Sequence, residues 1–276
     1  MALLEVNKET CTKCGVCAKM CRIIYFKEGS YPRQLPGTDE FCLRCGHCVG
    51  ICPSGSLTHK EMSSEQTPLI EKSLQVSFKQ CAQLIKSRRS IREFQDKAVP
   101  REEIQRIIDV ARYAPTGHNN QEVQWLVIND RAYIRKLSAI GADWLRFVMK
   151  TNPGMAAMFQ GVIEELDAGK DIFLRDAPAV VVAYAEKNNP MNATDCAIAL
   201  GYFDLAAKSA GLGCCWAGFF YISAGSYPPM TEAVALPEGF TPYGALMVGY
   251  PKYKYWRVPS RKPARIIWRP EQVKSG

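Results

Sequence analysis

The chain has 276 residues, of which 47% are hydrophobic and 22% are charged. These values are ordinary for globular proteins, so they exclude a disordered or fibrous chain, and the length predicts one large domain or two smaller ones. The longest apolar stretch, near residues 177–185, is too short to span a membrane. Because the N-terminus has neither a basic region nor a long apolar segment, we expect no signal peptide and a cytoplasmic protein.

The charge and the cysteines have to be considered together. Lys and Arg number 35 against 27 Asp and Glu, which gives a net charge of +8. Such a charge can indicate nucleic acid or another acidic partner, but no nucleic-acid recognition motif accompanies it, so we expect no nucleic-acid partner. Eight of the twelve cysteines lie in the first 52 residues. If they hold iron–sulfur clusters, part of the positive charge compensates the negative charge of those clusters.

The pattern of the chain changes twice, which predicts two domains. Residues 1–62 are rich in cysteine, residues 63–75 are polar and contain a proline, as linkers do, and residues 76–276 resemble an ordinary α+β domain. The predicted elements are, in chain order, a helix over residues 76–86, a helix that opens at Pro100, a strand over 123–128, a strand over 178–185, a long and buried central helix over 194–210, and strands over 216–221 and 245–248.

The cysteines of the first domain form two quartets with the same spacing. The first is Cys11-x2-Cys14-x2-Cys17-x3-Cys21, and the second is Cys42-x2-Cys45-x2-Cys48-x3-Cys52. Gaps this short let one loop wrap a cubane cluster and present three thiolates to it. A zinc ribbon needs pairs of cysteines and would leave half of each quartet unused, and a disulfide framework is typical of small secreted domains.

The quartets resemble those of bacterial ferredoxins with two [4Fe–4S] clusters, in which the fourth cysteine of each run ligates the other cluster. The resemblance implies one cluster on Cys11, Cys14, Cys17 and Cys52, and a second on Cys42, Cys45, Cys48 and Cys21. Arg22 stands where such ferredoxins usually have proline, and we interpret it as a solvated charge; the alternative is that it alters the field at one cluster and raises its potential. His47 lies between two ligands, and we expect it at the surface.

Four separated motifs in the second domain could surround a flat, phosphorylated cofactor. Residues 88–92 combine arginines with a serine, which suits a phosphate dianion. Residues 114–121 form a polar loop in front of a predicted strand, where they can meet the edge of a heterocycle. Small residues in 211–218 allow the backbone to approach a ring closely, and residues 257–263 are a second basic cluster.

In this order and spacing, the four motifs resemble the FMN-dependent nitroreductase family over roughly residues 76–269. The resemblance implies that the phosphate of FMN is held by Arg88, Arg89, Ser90, Arg92 and Arg261. It places the polar edge of the flavin against His118, Asn119 and Gln121, and its ring against the backbone of Cys215, Trp216, Ala217 and Gly218. It also implies a homodimer with two FMN molecules, each held at the interface by both chains.

The chain departs from the family pattern where the substrate would bind. Many members have Gln-Pro-Trp where this chain continues from Gln121 to Glu122 and Val123, and some have an acid in place of Ala217.

The remaining cysteines and Asp195 have simpler interpretations. We expect Cys81 and Cys196 to be buried helix residues, and Cys214 with Cys215 to be a neighbouring pair for which a redox disulfide remains an alternative. Asp195, near the start of a predicted helix, is interpreted as an acid that caps the helix or pairs with its dipole.

The combination of a ferredoxin module with a flavin domain predicts a flavoprotein oxidoreductase. We expect electrons to enter at the clusters from an external donor and to reduce a small oxidised acceptor over the flavin, such as a nitroaromatic, a quinone or an activated alkene. Two alternatives stay open. NAD(P)H could reduce the flavin while the clusters carry electrons out to a partner, or the protein could transfer electrons or sense redox state without being an enzyme. No acid–base residue is assigned as catalytic.

Overall fold

The computed structural model of the chain describes residues 3–62 and 66–269. The predicted linker positions 63–65 lie outside the described residues, as do the two ends, 1–2 and 270–276. Within the described ranges, no helix is both long enough and apolar enough to cross a lipid bilayer.

The cysteine-rich part is built from short elements around a small apolar core. In chain order they are β1 (Leu4–Val6), α1 (Val16–Met20), β2 (Ile24–Tyr25), β3 (Arg33–Gln34), α2 (His47–Gly50) and β4 (Leu57–His59). Strand β1 pairs antiparallel with β4, and β2 pairs antiparallel with β3. The core contains Leu4, Ile23, Ile24 and Leu57 together with Cys17 and Cys48, one cysteine from each quartet. The ligand loops are therefore anchored directly in the core of this domain.

The second part is a sheet with helices on both faces. Its elements are α3 (Phe78–Ser87), α4 (Arg101–Ala111), β5 (Gln124–Ile128), α5 (Arg131–Thr151), α6 (Pro153–Asp167), β6 (Ala179–Glu186), α7 (Asn192–Ser209), β7 (Gly213–Trp216), α8 (Gly218–Ser226), α9 (Pro228–Val234) and β8 (Phe240–Gly249). The sheet has the strand order β5-β6-β8-β7, and these pairs are antiparallel.

Strand β6 lies inside the sheet and shows how the core is divided. Successive side chains of a strand point to opposite faces. Val180 and Val182 accordingly pack in the layer that contains α5 and α8. Val181 and Ala183 pack in the layer that contains α4 and α7. Both faces are covered, and this is why the strand reads as an uninterrupted apolar run.

Most of the predicted elements are confirmed, with shifts of a few residues at their ends. The helix predicted over 76–86 is α3, which starts later because Ser77 and Gln80 form a reciprocal capping box. The helix at Pro100 is α4, the strands over 123–128 and 178–185 are β5 and β6, and the strand over 245–248 is the end of the longer β8. The mixed α+β fold is therefore confirmed.

The strand predicted over 216–221 is wrong. Strand β7 ends at Trp216, and α8 begins two residues later at Gly218. The side chains of Phe220, Ser223 and Ala224 are buried at helical spacing, so this segment covers the sheet as a helix instead of extending it. The apolar run was ambiguous because a buried strand and a buried helix have the same composition.

Two helices are less covered than the sequence predicts. The long helix α7 buries Cys196, Leu200 and Phe203 against the sheet as expected, but Ala197 and Tyr202 on its other face are exposed in the single chain. Helix α3 buries none of its residues, and Cys81, expected inside, is exposed. Both exposed faces are apolar, so the single chain leaves an apolar surface to be covered.

The segment after α3 runs along the edge strand β7. Ser90 forms a parallel bridge with Cys214, and the N–H of Ile91 donates to the carbonyl oxygen of Cys214 at 2.9 Å. The approach is close because Gly213 has no side chain: a Cβ there would lie 2.3 Å from Cγ1 of Ile91. The missing Cβ thus fixes how near residues 88–92 come to β7.

Replacing this glycine should loosen the segment. We expect Gly213→Ala to lower the free energy of unfolding by about 1–3 kcal/mol, because the added methyl group overpacks against Ile91. Gly161 in α6 is the matched control, since a Cβ there would meet no atom within 4 Å. Gly161→Ala should raise the stability by up to about 1 kcal/mol through helix propensity. Urea denaturation of both variants measures the difference, and equal stabilities would contradict this packing.

Candidate functional site

The structure brings the first three cysteines of one quartet together with the last cysteine of the other. A single small pocket is lined by Cys11, Cys14, Cys17 and Cys52. Burial raises the pKa of Cys17, and the nearby charge of Cys52 acts in the same direction. This is the donor set that the resemblance to two-cluster ferredoxins implies for the first cluster.

The second cradle combines cysteines of the second quartet with the last cysteine of the first quartet. Burial raises the pKa of the Cys48 thiol to about 11, and the nearby charges of Cys21 and Cys45 act in the same direction. Cys21, the fourth cysteine of the first quartet, is thus a close neighbour of the second quartet. Because iron replaces the thiol protons when a cluster binds, a raised pKa of the free thiol describes the apo site only.

The backbone repeats between the two cradles. Each cysteine of the first quartet recurs 31 positions later in the second. Lys13 and Arg44, which are related by this repeat, have φ of 55° and 49°, and Gly15 and Gly46 have φ of 71° and 70°. Left-handed residues at the same two places turn both loops around their centre in the same way. The same ligand geometry is therefore built twice, as two similar clusters require.

Hydrogen-bond donors already point at the thiols of the first cradle. The N–H of Val16 and the hydroxyl of Thr12 lower the pKa of Cys14. Burial raises the pKa of Cys52, but the Ser54 hydroxyl and neighbouring backbone N–H groups outweigh it, so the net shift is downward. Donors that stabilise thiolates are those that suit cysteine ligands of an iron–sulfur cluster. The residues of the first cradle therefore fit an iron–sulfur cluster.

Two flanking residues of the quartets behave as surface side chains. Arg22 and His47 are both exposed. Neither is within the pocket that the four cysteines of the first cradle line. Their interpretation as solvated residues agrees with this placement.

A basic cavity of about 480 Å³ lies where the phosphate of FMN is expected. Arg88 and Arg89 line it together with residues 211–214 and 250–258. The cationic side chains around it are Arg88, Arg89, Lys208, Lys252, Lys254 and Arg257. Asp204 is an acidic residue of the same lining. The balance of charge favours an anion in this cavity.

Asp204 forms an ion pair with Arg88, one of the residues expected to bind the phosphate. Nη1 of Arg88 lies 3.2 Å from Oδ2 of Asp204. Burial raises the pKa of the Asp204 carboxyl, while the charge of Arg88 acts in the opposite direction. Burial and then the Asp204 charge also raise the pKa of Cys214 well above its usual range. Sequence reasoning missed Asp204, because it lies on the apolar helix α7, far along the chain from the arginines.

The residues expected beside the flavin ring line a different, smaller cavity. It measures about 190 Å³ and includes Arg92, Arg175 and residues 215–218. Burial raises the pKa of Cys215, against the opposing charges of Arg92 and Arg175. Arg175 has a left-handed backbone with φ of 58°, and nothing in the sequence connects it to this place. Two guanidinium groups therefore stand next to the expected ring position.

Cys214 and Cys215 lie on opposite faces of β7. Cys214 packs in the layer with α4 and α7, and Cys215 packs in the layer with α5 and α8. Both thiols are free. Alternation along a strand separates neighbouring side chains, so the alternative of a redox disulfide between these two residues is not what the structure contains.

The polar loop that carries His118, Asn119 and Gln121 is held in an uncommon conformation. These three residues have φ of 53°, 57° and 55°. The buried carboxylate of Asp195 accepts the N–H of Gly117 with both oxygens, at 3.1 and 3.0 Å. Left-handed conformations of this kind cost free energy and persist only where neighbouring contacts enforce them. Asp195 lies in the first turn of α7, where an acid pairs with the helix dipole as the sequence predicts, and it also fixes this loop.

This loop lies against the cysteine-rich domain. Nδ2 of Asn119 donates to the carbonyl oxygens of Leu43 and Arg44, at 3.0 and 3.2 Å. Leu43 and Arg44 form the turn between the ligands Cys42 and Cys45. None of His118, Asn119 and Gln121 lines either of the two cavities described above. The single chain therefore separates this loop from the other residues assigned to FMN.

The tail brings a different arginine to the site than the one expected. Arg261 is exposed and lies outside both cavities, while Arg257 lines the larger one. Tyr253, Tyr255 and Trp256 line the same cavity. Of the basic cluster 257–263, the residues that line the cavity are Arg257 and Val258. Which of its arginines reaches the cavity depends on the path of the tail, and sequence spacing does not reveal that path.

Two sequence families account for the two parts of the chain. The 4Fe-4S dicluster domain matches residues 3–53, which contain both quartets up to the last ligands. The nitroreductase family matches residues 85–250, more than half of the chain. The chain belongs to the nitroreductase family. It is an oxidoreductase of that family, with a ferredoxin-type domain at its N-terminal end.

Individual proteins agree with this assignment. A protein of Archaeoglobus fulgidus, provisionally named NADH dehydrogenase/NAD(P)H nitroreductase, is 26% identical over 180 residues, which cover 63% of this chain and 87% of the relative. The FMN reductase [NAD(P)H] of Bacillus subtilis is 29% identical over 172 residues, 59% of this chain and 62% of the relative. The crystal structure of a nitroreductase with bound FMN from Bacteroides fragilis superposes with a TM-score of 0.56, at 20% identity, over 67% of this chain and 96% of the other, and it confirms the fold.

The crossed ligand sets can be tested with pairs of variants. Cys21→Ala and Cys45→Ala should abolish the same electron paramagnetic resonance (EPR) signal of the reduced protein, and Cys52→Ala and Cys14→Ala should abolish the other. The exposed Cys81 is the control, because Cys81→Ala should keep about eight irons per chain. If Cys21→Ala and Cys14→Ala affected the same signal, or if zinc replaced iron, the assignment would be wrong.

Proposed function

We propose that this protein passes electrons between two [4Fe–4S] clusters and FMN, and reduces a small oxidised acceptor such as a nitroaromatic, a quinone or an activated alkene. In this proposal residues 1–62 form the cluster domain, residues 76–276 form the flavin domain, and residues 63–75 join them. When bound, the clusters supply single electrons and the flavin collects and delivers them as pairs. The contributions of the chain itself are to bind, orient and connect these groups.

The segment after α3 supports the placement of FMN. Arg88, Ser90 and Arg92 belong to the segment that passes beside β7, where Ser90 forms a bridge with Cys214. The first and last of them are about 13 Å apart at the spacing of a strand, enough for a phosphate at one end and a flavin edge at the other. Arg88 lies in the basic cavity and Arg92 lies beside residues 215–218. Phosphate and ring would thus occupy the two neighbouring cavities.

Arg92 and Arg175 would place positive charge beside the expected position of the flavin ring. Both cations lie around the small cavity with residues 215–218. Fixed positive charge at this place stabilises negative charge that develops on a bound heterocycle or on an acceptor above it, without reorganisation of solvent. Since the chain has alanine at position 217, where some family members have an acid, no carboxylate at this position opposes the two cations. The acceptor would therefore be a molecule that gains negative charge during reduction.

We further infer that two chains form the working unit and that each completes the flavin site of the other. A groove of about 520 Å³ between α3, α4 and α7 is lined by Leu84, Ile107, Val110, Leu205 and Ala206. Phe78 and Tyr202 extend the apolar surface, with 89% and 44% of their areas exposed. An apolar surface of this extent suits an interface between copies. A second copy could bring the loop of Asn119, which lies apart from its own cavities, to a flavin.

The observation that carries the proposal is the contact of Asn119 with the turn between Cys42 and Cys45. It joins a loop assigned to the flavin edge directly to a loop that holds a cluster. Fusion of two redox modules is useful when their centres stay close, because transfer then does not depend on diffusion. We propose that the cluster of Cys42, Cys45, Cys48 and Cys21 is the one that exchanges electrons with FMN, in the same chain or across the dimer.

A second function shares this site and differs in the direction of electron flow. NAD(P)H would reduce the flavin, and the clusters would deliver electrons to a partner protein. The name of the Bacillus subtilis relative, which includes NAD(P)H, favours this direction. Mixing the anaerobic protein with NAD(P)H or with reduced ferredoxin, and comparing the rates at which the flavin absorbance bleaches, decides between the two donors.

The phosphate site gives a prediction for cofactor binding. We expect Arg88→Ala to weaken FMN binding by about 1.5–3 kcal/mol, the contribution of a hydrogen bond to a charged group, which is about 10- to 150-fold in the dissociation constant. Fluorescence titration of the apoprotein with FMN measures the change. Arg22→Ala is the control, because Arg22 is an exposed arginine of the other domain. An unchanged affinity in Arg88→Ala would refute the phosphate site, and a comparison of Arg257→Ala with Arg261→Ala shows which arginine of the tail closes it.

Electron transfer itself is tested by reducing the clusters rapidly without oxygen and following the flavin absorbance. We expect flavin reduction to be first order and independent of protein concentration, because the centres belong to one assembly. Asn119→Ala should slow this phase in samples with matched FMN content, since the contact with Leu43 and Arg44 is lost. Asn120→Ala, a change in the neighbouring exposed amide, is the control. A rate proportional to protein concentration would disprove transfer within the assembly.

A further inference from the structure

The two cluster cradles repeat in backbone but differ in the side chains that reach their sulfur atoms. Cys42 Sγ lies 3.6 Å from Nε2 of His59, and Cys52 Sγ lies 3.8 Å from the hydroxyl of Ser54. Counting back by the repeat of 31 residues, the position of His59 corresponds to Glu28. The first cradle therefore has no copy of this imidazole, and the two clusters meet different hydrogen-bond donors.

The hydrogen bonds of His59 assign its tautomer. The N–H of Glu61 donates to Nδ1 of His59 at 3.1 Å, so Nδ1 acts as the acceptor and carries no proton in the neutral ring. The proton of neutral histidine then sits on Nε2, which faces Cys42 Sγ. The geometry makes the imidazole the donor and the cysteine sulfur the acceptor.

The position of His59 beside the Cys42 sulfur is fixed by strand pairing and by contacts of the residues that follow it. It is only 4% exposed, and as the last residue of β4 it pairs with Leu4 of β1. The carboxylate of Glu61 forms an ion pair with Nε of Arg44 at 2.5 Å, and Met62 Sδ lies 3.3 Å from the position of a Cβ on Gly46. Residues 59–62 are thus fastened to the ligand loop 42–46, which keeps the imidazole in place.

We propose that His59 is a positioning residue that raises the reduction potential of the cluster held by Cys42, Cys45, Cys48 and Cys21, by donating its Nε2 hydrogen to Cys42 Sγ. One-electron reduction adds a negative charge to a cluster and its thiolates, and a hydrogen bond to a sulfur stabilises this more negative form. The proton stays on nitrogen throughout, so the step moves one electron and no proton. The inference rests on the proposed function only in taking this cluster as the neighbour of the flavin.

The first cluster has a different donor of its own, which provides a matched comparison. Thr10 donates its hydroxyl hydrogen to Ser56 Oγ at 2.9 Å, and Ser56 and Ser54 share a hydrogen bond of 2.6 Å. When Ser56 donates its own hydrogen to Ser54, the Ser54 hydrogen is left to point at Cys52 Sγ. This hydroxyl chain would act on the first cluster and not on the second.

Redox titration followed by EPR spectroscopy tests the proposal on the full anaerobic protein. His59→Leu removes the donor and should shift the midpoint potential of one cluster to a lower value, with the other unchanged. His59→Gln keeps an N–H group near the sulfur and should restore part of the shift. Ser54→Ala should lower the potential of the other cluster only. Iron analysis confirms that both clusters are present, and two unchanged potentials in fully loaded His59→Leu would overturn the proposal.

A measurement on the unmodified protein keeps the test independent of variant folding. With ¹⁵N-labelled histidine, pulsed EPR of the reduced protein should show weak coupling between one cluster and an imidazole nitrogen. His47→Gln should retain this coupling, because His47 is exposed. Absence of the coupling would overturn the proposal. Neither measurement involves transfer to the flavin, so a concentration-dependent transfer rate together with the expected shift would refute the proposed function alone.

Discussion

The attachment of residues 90–94 to the edge strand β7 and to the chain that follows β8 is the interaction on which the flavin domain depends. The bridge between Ser90 and Cys214 and the bridge between Phe94 and Pro251 fix the segment at two points. Arg88 lines the basic cavity, and Arg92 lines the smaller cavity with residues 215–218. The absence of a side chain at Gly213 permits this approach. A basic cavity and a small ring-sized cavity follow from this one pairing, on either side of the same strand.

The second constraint is a buried carboxylate that supports a loop from a distance. Asp195 lies on α7, and its two oxygens hold the N–H of Gly117. The ordered loop presents Asn119 outward to the cluster domain. A buried charge is favourable only when hydrogen bonds satisfy it, and here the loop supplies them. The position of one cluster relative to the flavin domain is thus linked to the rigid central helix of the fold.

The two cradles show how a repeated sequence can hold two centres with different surroundings. The spacing of ligands and the left-handed residues recur almost unchanged. The residues that follow each quartet do not recur, and they supply an imidazole to one cradle and a hydroxyl chain to the other. Because hydrogen bonds to sulfur shift cluster potentials, the chain can separate the properties of the two centres while it keeps one ligand pattern.

The sequence by itself determined the features that depend on near neighbours in the chain. The cysteine spacing predicted both cradles, and the periodicity predicted most helices and strands, because each of these is local. The run 88–92 pointed to a basic site for the same reason, and Arg88 and Arg89 do line a basic cavity. Helix α5 went unpredicted although Asp130 caps it and Ile134, Leu137 and Leu145 repeat at helical spacing, so its signal was present.

Only the tertiary structure decided which distant residues share a site. It placed Asp204 against Arg88, Asp195 under the loop of Asn119, Arg257 instead of Arg261 in the cavity, and it turned residues 218–221 into a helix. These outcomes depend on which face of a strand or helix packs on which neighbour, and contacts between residues far apart in the chain leave no spacing pattern to be read.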